Sequence, residues 1–181
     1  MTRFIRFALT LSMALLATAC ITNRSVGGSF DDTGADLTLK RILLTDTSHD
    51  YSDIDITIFE GRMMLTGTVK TMEARQALAN QAARITTVSE VLNEVIIAPR
   101  TTMTQGANDV IIDEKLGAAL RADNGVFRGN FQIAVSQGNV YLLGVAQNAT
   151  ELDRVTSHAQ TIKGVKNVVS HVVFVGDPRR N

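Results

Sequence analysis

Leu39 and Leu43 stand four residues apart, and 77 positions later Ile112, Leu116 and Leu120 repeat that spacing, which lines one face of a helix. After the first of these stretches Ile54, Ile56 and Ile58 alternate with polar neighbours. Met63, Leu65 and Val69 do the same beyond Gly61, so the segment predicts a hairpin whose turn uses glycine for a positive φ. A second helix is predicted over 72–85, where Ala74, Ala77, Leu78, Ala82 and Ile85 share a face. Its later counterpart opens with Asn148 and Glu151, an N-cap and N3 pair able to satisfy free backbone N–H groups reciprocally. The stretches "VSEVLNEVII" and "VKNVVSHVVF" then read as strands, with Val91, Val95 and Ile97 matching Val168, Val172 and Phe174.

At a constant offset of 77, residues 31–97 lie over 108–174 without a gap, and identical pairs include Asp32/Asp109, Leu39/Leu116, Leu43/Leu120, Gly61/Gly138, Leu65/Leu142, Gly67/Gly144 and Val91/Val168. Two copies of one small α+β domain follow, each ordered helix, strand, strand, helix, strand, with a three-stranded sheet covered on one face by two helices. Gly67 and Gly144 fall on the inward side of the returning strand, where a missing side chain admits another backbone; the second helix is expected to cross there. "PRTTMTQGA", residues 99–107, has no apolar periodicity and reads as a linker. The boundaries are then a first copy at 31–98, a second at 108–176 and a tail at 177–181.

Ahead of the first copy, Arg3 and Arg6 precede an uncharged run, Phe7–Ala19, that ends in small residues before Cys20, the only cysteine. A basic start, a short apolar stretch and small residues before the cut make residues 1–19 an export signal; the run falls short of the ~20 residues that span a bilayer. Residues 20–30 then form a tether. Without the signal the chain carries 16 basic and 18 acidic residues, and no basic stripe marks a nucleic-acid surface. The copies differ in charge: residues 31–97 hold 6 basic and 11 acidic groups, net −5, whereas residues 108–174 hold 6 of each. An anionic lipid surface repels the first copy and not the second.

Nothing in the chain assembles into a catalytic or cofactor motif, and no metal site is expected. His158 and His171 read as solvated positions, and His49 has no convergent partner in the sequence. The dense carboxylates Asp31, Asp32, Asp36, Asp50, Asp53 and Asp55 read as helix-start charges near a macrodipole and as an exposed loop. A non-enzymatic protein is expected.

Ala17-Thr18-Ala19 before Cys20 resembles the lipobox of bacterial lipoproteins, with Ala17 where Leu is favoured. That resemblance implies a diacylglycerol on the Cys20 thiol; ordinary cleavage after Ala19 would instead leave a free Cys. Ile21, which is not the Asp that retains enteric lipoproteins at the inner membrane, implies the periplasmic face of the outer membrane. The hairpin glycines Gly61 and Gly138, the in-strand glycines Gly67 and Gly144, and Gly164-Val165 resemble the BON domain (bacterial OsmY and nodulation); the first copy departs from it with Thr87-Val88 in place of Gly-Val. With the lipobox, the tandem copies are similar to the dual-BON outer-membrane lipoproteins. That likeness implies an anchored envelope protein that binds anionic phospholipid and supports outer-membrane integrity, using the first helix of the second copy, about 109–122. On that helix Ile111, Ala118, Ala119 and Ala122 would sit at headgroup level, and Lys115 and Arg121 would meet phosphates, opposed by Asp113 and Glu114. Alternatively, Ile111 belongs to an interface between the copies. Two other functions stay open: a module docking on outer-membrane assembly or cell-wall and division machinery, or a soluble osmotic-stress protein with Cys20 unmodified.

Overall fold

The computed structural model describes residues 26–180, with side chains from Asp31 onward; the signal segment, Cys20 and residues 20–25 lie outside them. The chain runs α1 (Val26–Thr45), β1 (Ile54–Phe59), β2 (Arg62–Val69), α2 (Met72–Ala82), β3 (Glu90–Asn93) and β4 (Ile96–Ile97). It continues with α3 (Met103–Ala122), a short 3-10 turn (Arg128–Asn130), β5 (Phe131–Ser136), β6 (Asn139–Ala146), α4 (Ala149–Thr161) and β7 (Asn167–Phe174). Two helices start before their predicted positions. α1 takes in residues 26–30 of the tether. α3 takes in 103–107 of the linker, because the Thr102 side chain caps it by accepting from the Gln105 N–H at 3.2 Å, and a solvent-facing first turn needs no apolar rhythm.

In each copy the hairpin is antiparallel and the last strand adds parallel to the middle one: Ile56 pairs with Leu65 and Met63 with Val91, and likewise Ile133 with Leu142 and Val140 with Val168. The two-residue turns Glu60-Gly61 and Gln137-Gly138 all have positive φ, 51° and 74° in the first copy and 55° and 79° in the second, so their twist matches that of the strands they join. β7 is continuous, whereas its counterpart is broken into β3 and β4. The Arg75 guanidinium takes the carbonyls of Asn93 and Val95, both at 2.8 Å, and pulls that strand segment out of line. Gly164 turns with φ 105°; Thr87, its counterpart, has no positive φ, so the first copy makes this turn differently.

The backbone that approaches Gly67 and Gly144 is not the second helix. A Cβ on Gly67 would stand 1.9 Å from the Asp53 carbonyl oxygen, and one on Gly144 would stand 2.0 Å from that of Asn130. Both glycines sit opposite the first residue of the hairpin's opening strand, and admit the turn of chain that enters it.

Helices cover one face of each sheet. Leu39, Met63, Leu65 and Leu78 build the first core; Leu116, Leu120, Leu142 and Val155 build the second. The opposite sheet faces pack on one another through Phe59, Met64, Ala134, Tyr141, Leu143, Val145 and Val173, which form a third core. The body therefore has four layers: helices, sheet, sheet, helices.

Polar pairs close this joint. Arg62, buried, donates from Nε to Glu90 at 2.6 Å and from Nη1 to the His171 carbonyl at 2.7 Å. His171 Nε2 lies 2.8 Å from Glu94 of the other copy, so this histidine is not a solvated outward position: the face it occupies is the one the partner sheet covers. Arg180 in the tail donates two bonds to buried Glu60, at 2.9 and 3.0 Å.

Candidate lipid-contact face

α3 is fixed to its own domain by one carboxylate. Asp109 accepts from the backbone N–H groups of Gln137 and Gly138, at 2.9 and 2.8 Å, and so clamps the helix to the hairpin turn. Asp32 does the same in the first copy, accepting from Glu60 at 2.9 Å and Gly61 at 2.8 Å. This pair of acids is buried, and is neither a helix-start charge nor part of an exposed loop. Glu151, also buried, accepts from the N–H groups of Phe127 at 2.7 Å and Gln147 at 2.6 Å, tying the 3-10 turn to the start of α4.

With Ile112, Leu116 and Leu120 turned inward, the outer arc of α3 is set. At 100° per residue it carries Met103, Ala107, Val110, Ile111, Glu114, Lys115, Ala118, Arg121 and Ala122, all exposed. Ala119 is half-buried, at the margin. Ile111 is 49% exposed and lies outside the third core, so the interface between copies does not use it. Met103 and Val110, the latter 62% exposed, form a second apolar line about 100° round the helix from Ile111, on the side where Val110 borders the groove at the joint between the copies. The sequence reading missed both: Met103 was placed in the linker, and Val110 adjoins the core residue Ile112, so its outward direction depends on where the helix begins.

Arg121 folds back over Gly117, where an added Cβ would come within 3.3 Å of Nη1. Beside it stands Arg128, a second basic group that sequence spacing did not bring forward. Its Nη1 donates to the Phe131 carbonyl, and its buried Nε has no hydrogen-bond partner among the described residues. Burial first, and then Arg121, pull the Arg128 guanidinium below its ordinary value, while Asp113 acts the other way. Asp113 is itself pushed up, mainly by burial, with Arg128 and Arg121 opposing and Glu114 and Asp55 adding to the rise. Of the two acids set against the basic pair, Asp113 lines a groove at the joint between the copies together with Asp53 and Asp55, and Glu114 stays within the exposed arc.

The remaining histidines pair locally. His158 Nε2 lies 2.8 Å from Asp123, correcting the solvated reading, and His49 Nδ1 lies 3.4 Å from Asp46. Among the described residues no three His, Asp or Glu side chains are arranged to hold a metal ion, and no helix is long and apolar enough to cross a membrane.

A family model described as the BON domain matches residues 31–99 and again 108–176. An uncharacterized protein from the gshII 5′ region of Anaplasma centrale is 35% identical over 123 residues, covering 67% of this chain and 82% of that one. A 21 kDa hemolysin of Actinobacillus pleuropneumoniae is 25% identical over 153 residues, 84% and 78% of the two chains. The outer membrane lipoprotein DolP of Haemophilus influenzae is 22% identical over 157 residues, 86% and 81%. With two matched domains in tandem and the hairpin, glycine and crossover geometry repeated in each, the chain belongs to the BON-domain family.

Proposed function

We propose that this protein is a non-enzymatic envelope lipoprotein, held at the periplasmic face of the outer membrane through Cys20, that binds anionic phospholipid through its second BON domain and so helps maintain outer-membrane integrity. The observation that carries this reading is the exposed arc of α3, where Val110 and Ile111 lie beside Lys115 and Arg121, with Arg128 adding to the positive field. An amphipathic helix of this kind buries its apolar strip at headgroup level while its basic groups meet phosphates. The name of the Haemophilus relative, an outer membrane lipoprotein, supports the location.

Each basic group near an anionic leaflet contributes about 1 kcal/mol. In the mature chain freed of its anchor by Cys20→Ser, Lys115→Gln/Arg121→Gln therefore weakens binding to phosphatidylglycerol vesicles by roughly thirtyfold. An unchanged affinity removes α3 as the lipid site. A second reading draws on the acidic first domain: a protein-interaction module docking on envelope assembly or division machinery. It predicts a single abundant crosslinked partner that survives delipidation and is lost when first-domain carboxylates are neutralised.

A further inference from the structure

The same arc of α1 differs from that of α3 in a way that net charge conceals. Leu37 and Leu44, 62% and 86% exposed, stand two turns apart on one strip of α1. Exposed Lys40 and Arg41 flank the strip on either side. These positions correspond to Glu114, Arg121, Gly117 and Ala118 of α3. Of the acids near the strip, Asp36 is half-buried and bonded to Lys40 at 2.9 Å, Asp50 lines a groove together with Lys40 and Leu44, and Asp55 lies within electrostatic reach of Lys40; Asp31 lies toward the start of the helix. The first domain is acidic overall, but much of that charge is engaged: Asp32, Asp46, Asp53, Glu60 and Glu90 are taken up in hydrogen bonds within the body, and Asp50 bonds to Ser52 and Lys70.

A second observation concerns what lies ahead of the helix. α1 begins at Val26, six residues beyond Cys20, so the intervening chain reaches about 21 Å at full extension. An acyl anchor at Cys20 therefore keeps the start of this helix close to the bilayer.

We propose that the Leu37–Leu44 face of α1 is a second lipid-contact surface, the one that the anchored protein lays on its own membrane. The proposal rests on the Cys20 anchor in the function proposed above and is independent of the α3 site. Leu37 and Leu44 enter the interface as the apolar strip; Lys40 and Arg41 reach the phosphates from its two edges. Because α1 and α3 belong to opposite outer layers, one flat bilayer meets one of the two faces at a time. The tether joins the body at α1.

The test uses the full acylated chain reconstituted in phosphatidylglycerol-containing vesicles, with an environment-sensitive dye on Leu44→Cys. Acylated Cys20 offers no competing thiol, and mass spectrometry of the mature N-terminus establishes the anchor. The label is expected to emit at shorter wavelength than in buffer and to be quenched by spin-labelled lipid, whereas a label on exposed Ser157→Cys of α4 reports water. In the same vesicles Leu37→Glu, with the label kept at residue 44, returns that emission to its value in buffer. A Leu44 label that reports water in a chain proven to be anchored overturns the proposal, and so does an unacylated N-terminus. Failure of the α3 reading is seen separately, in the unaltered affinity of Lys115→Gln/Arg121→Gln.

Discussion

Leu143→Ala tests whether the two domains are one cooperative body. Leu143 is fully buried and lies in the third core, away from the helices of its own domain, so its packing partners include side chains of the other copy. Truncating a fully buried leucine costs about 3 kcal/mol, within a range of roughly 2.7–5 set by how well the site collapses. For a chain of this size in urea, with a slope of about 2 kcal/mol per molar, the midpoint falls by about 1.5 M. The protein supplies its own probes: it has no tryptophan and two tyrosines, Tyr51 buried in the first core and Tyr141 in the third. Single-tyrosine variants, Tyr51→Phe and Tyr141→Phe, therefore report from different domains. Their unfolding transitions are expected to coincide, and Leu143→Ala to move both together. Two separate midpoints in the parent, or a Leu143→Ala midpoint that moves only the Tyr141 signal, would refute the coupling.

Three further outcomes follow from local geometry. Gly144→Ala forces a Cβ to within 2.0 Å of a backbone oxygen and is expected to cost at least about 3 kcal/mol, whereas Gly34→Ala, on an exposed helix position with nothing within 4 Å, gains about 0.5–1 kcal/mol; thermal melts of the pair check both signs. Asp109→Asn removes a charged acceptor from two hairpin amides, costs about 1–3 kcal/mol, and speeds hydrogen exchange at Gln137 and Gly138 before the rest of the sheet. Asp50 is held at about 2, first by the Ser52 hydroxyl, then by the Ser52 N–H and by Lys70. A carboxylate depressed on folding stabilises above its unfolded value near 3.8 and loses that contribution as pH falls through its folded value of about 2, so Asp50→Asn lowers the melting temperature at pH 7 and by progressively less as pH falls from about 4 to below 2.

Local rules reached the hairpins, because Gly61 and Gly138 sit where a two-residue turn needs positive φ and the flanking residues alternate. They also reached the helix-facing cores, since Leu39, Leu78, Leu116 and Leu142 follow the helical or strand period. Less was visible where the packing partner is distant in sequence. Met64, Leu143 and Val145 interrupt the alternation of β2 and β6, and such two-sided apolar runs signal a strand buried on both faces. Read by alternation alone they left the outer sheet faces without a partner, and His171 was assigned to solvent for the same reason. Asp32 and Asp109 look like ordinary surface acids until the hairpin amides they cap are brought beside them. On the outer arcs of α1 and α3, net charge over a domain is too coarse a quantity. Lys115 and Arg121 are exposed on α3, but a domain's net charge does not reveal the Leu37–Leu44 strip, whose neighbours are Lys40 and Arg41 although the domain around them is acidic.

Sedimentation of the mature chain carrying Cys20→Ser, with phosphatidylglycerol vesicles and with purely zwitterionic ones, at low and at physiological salt, bears most directly on whether the folded domains themselves read the membrane. Without the anchor, binding to the anionic vesicles alone, weakening as salt rises, is the result expected from Lys115, Arg121 and the apolar strip beside them. Absence of binding to either vesicle would contradict it, leaving membrane attachment to Cys20 and the function of the domains to a protein partner.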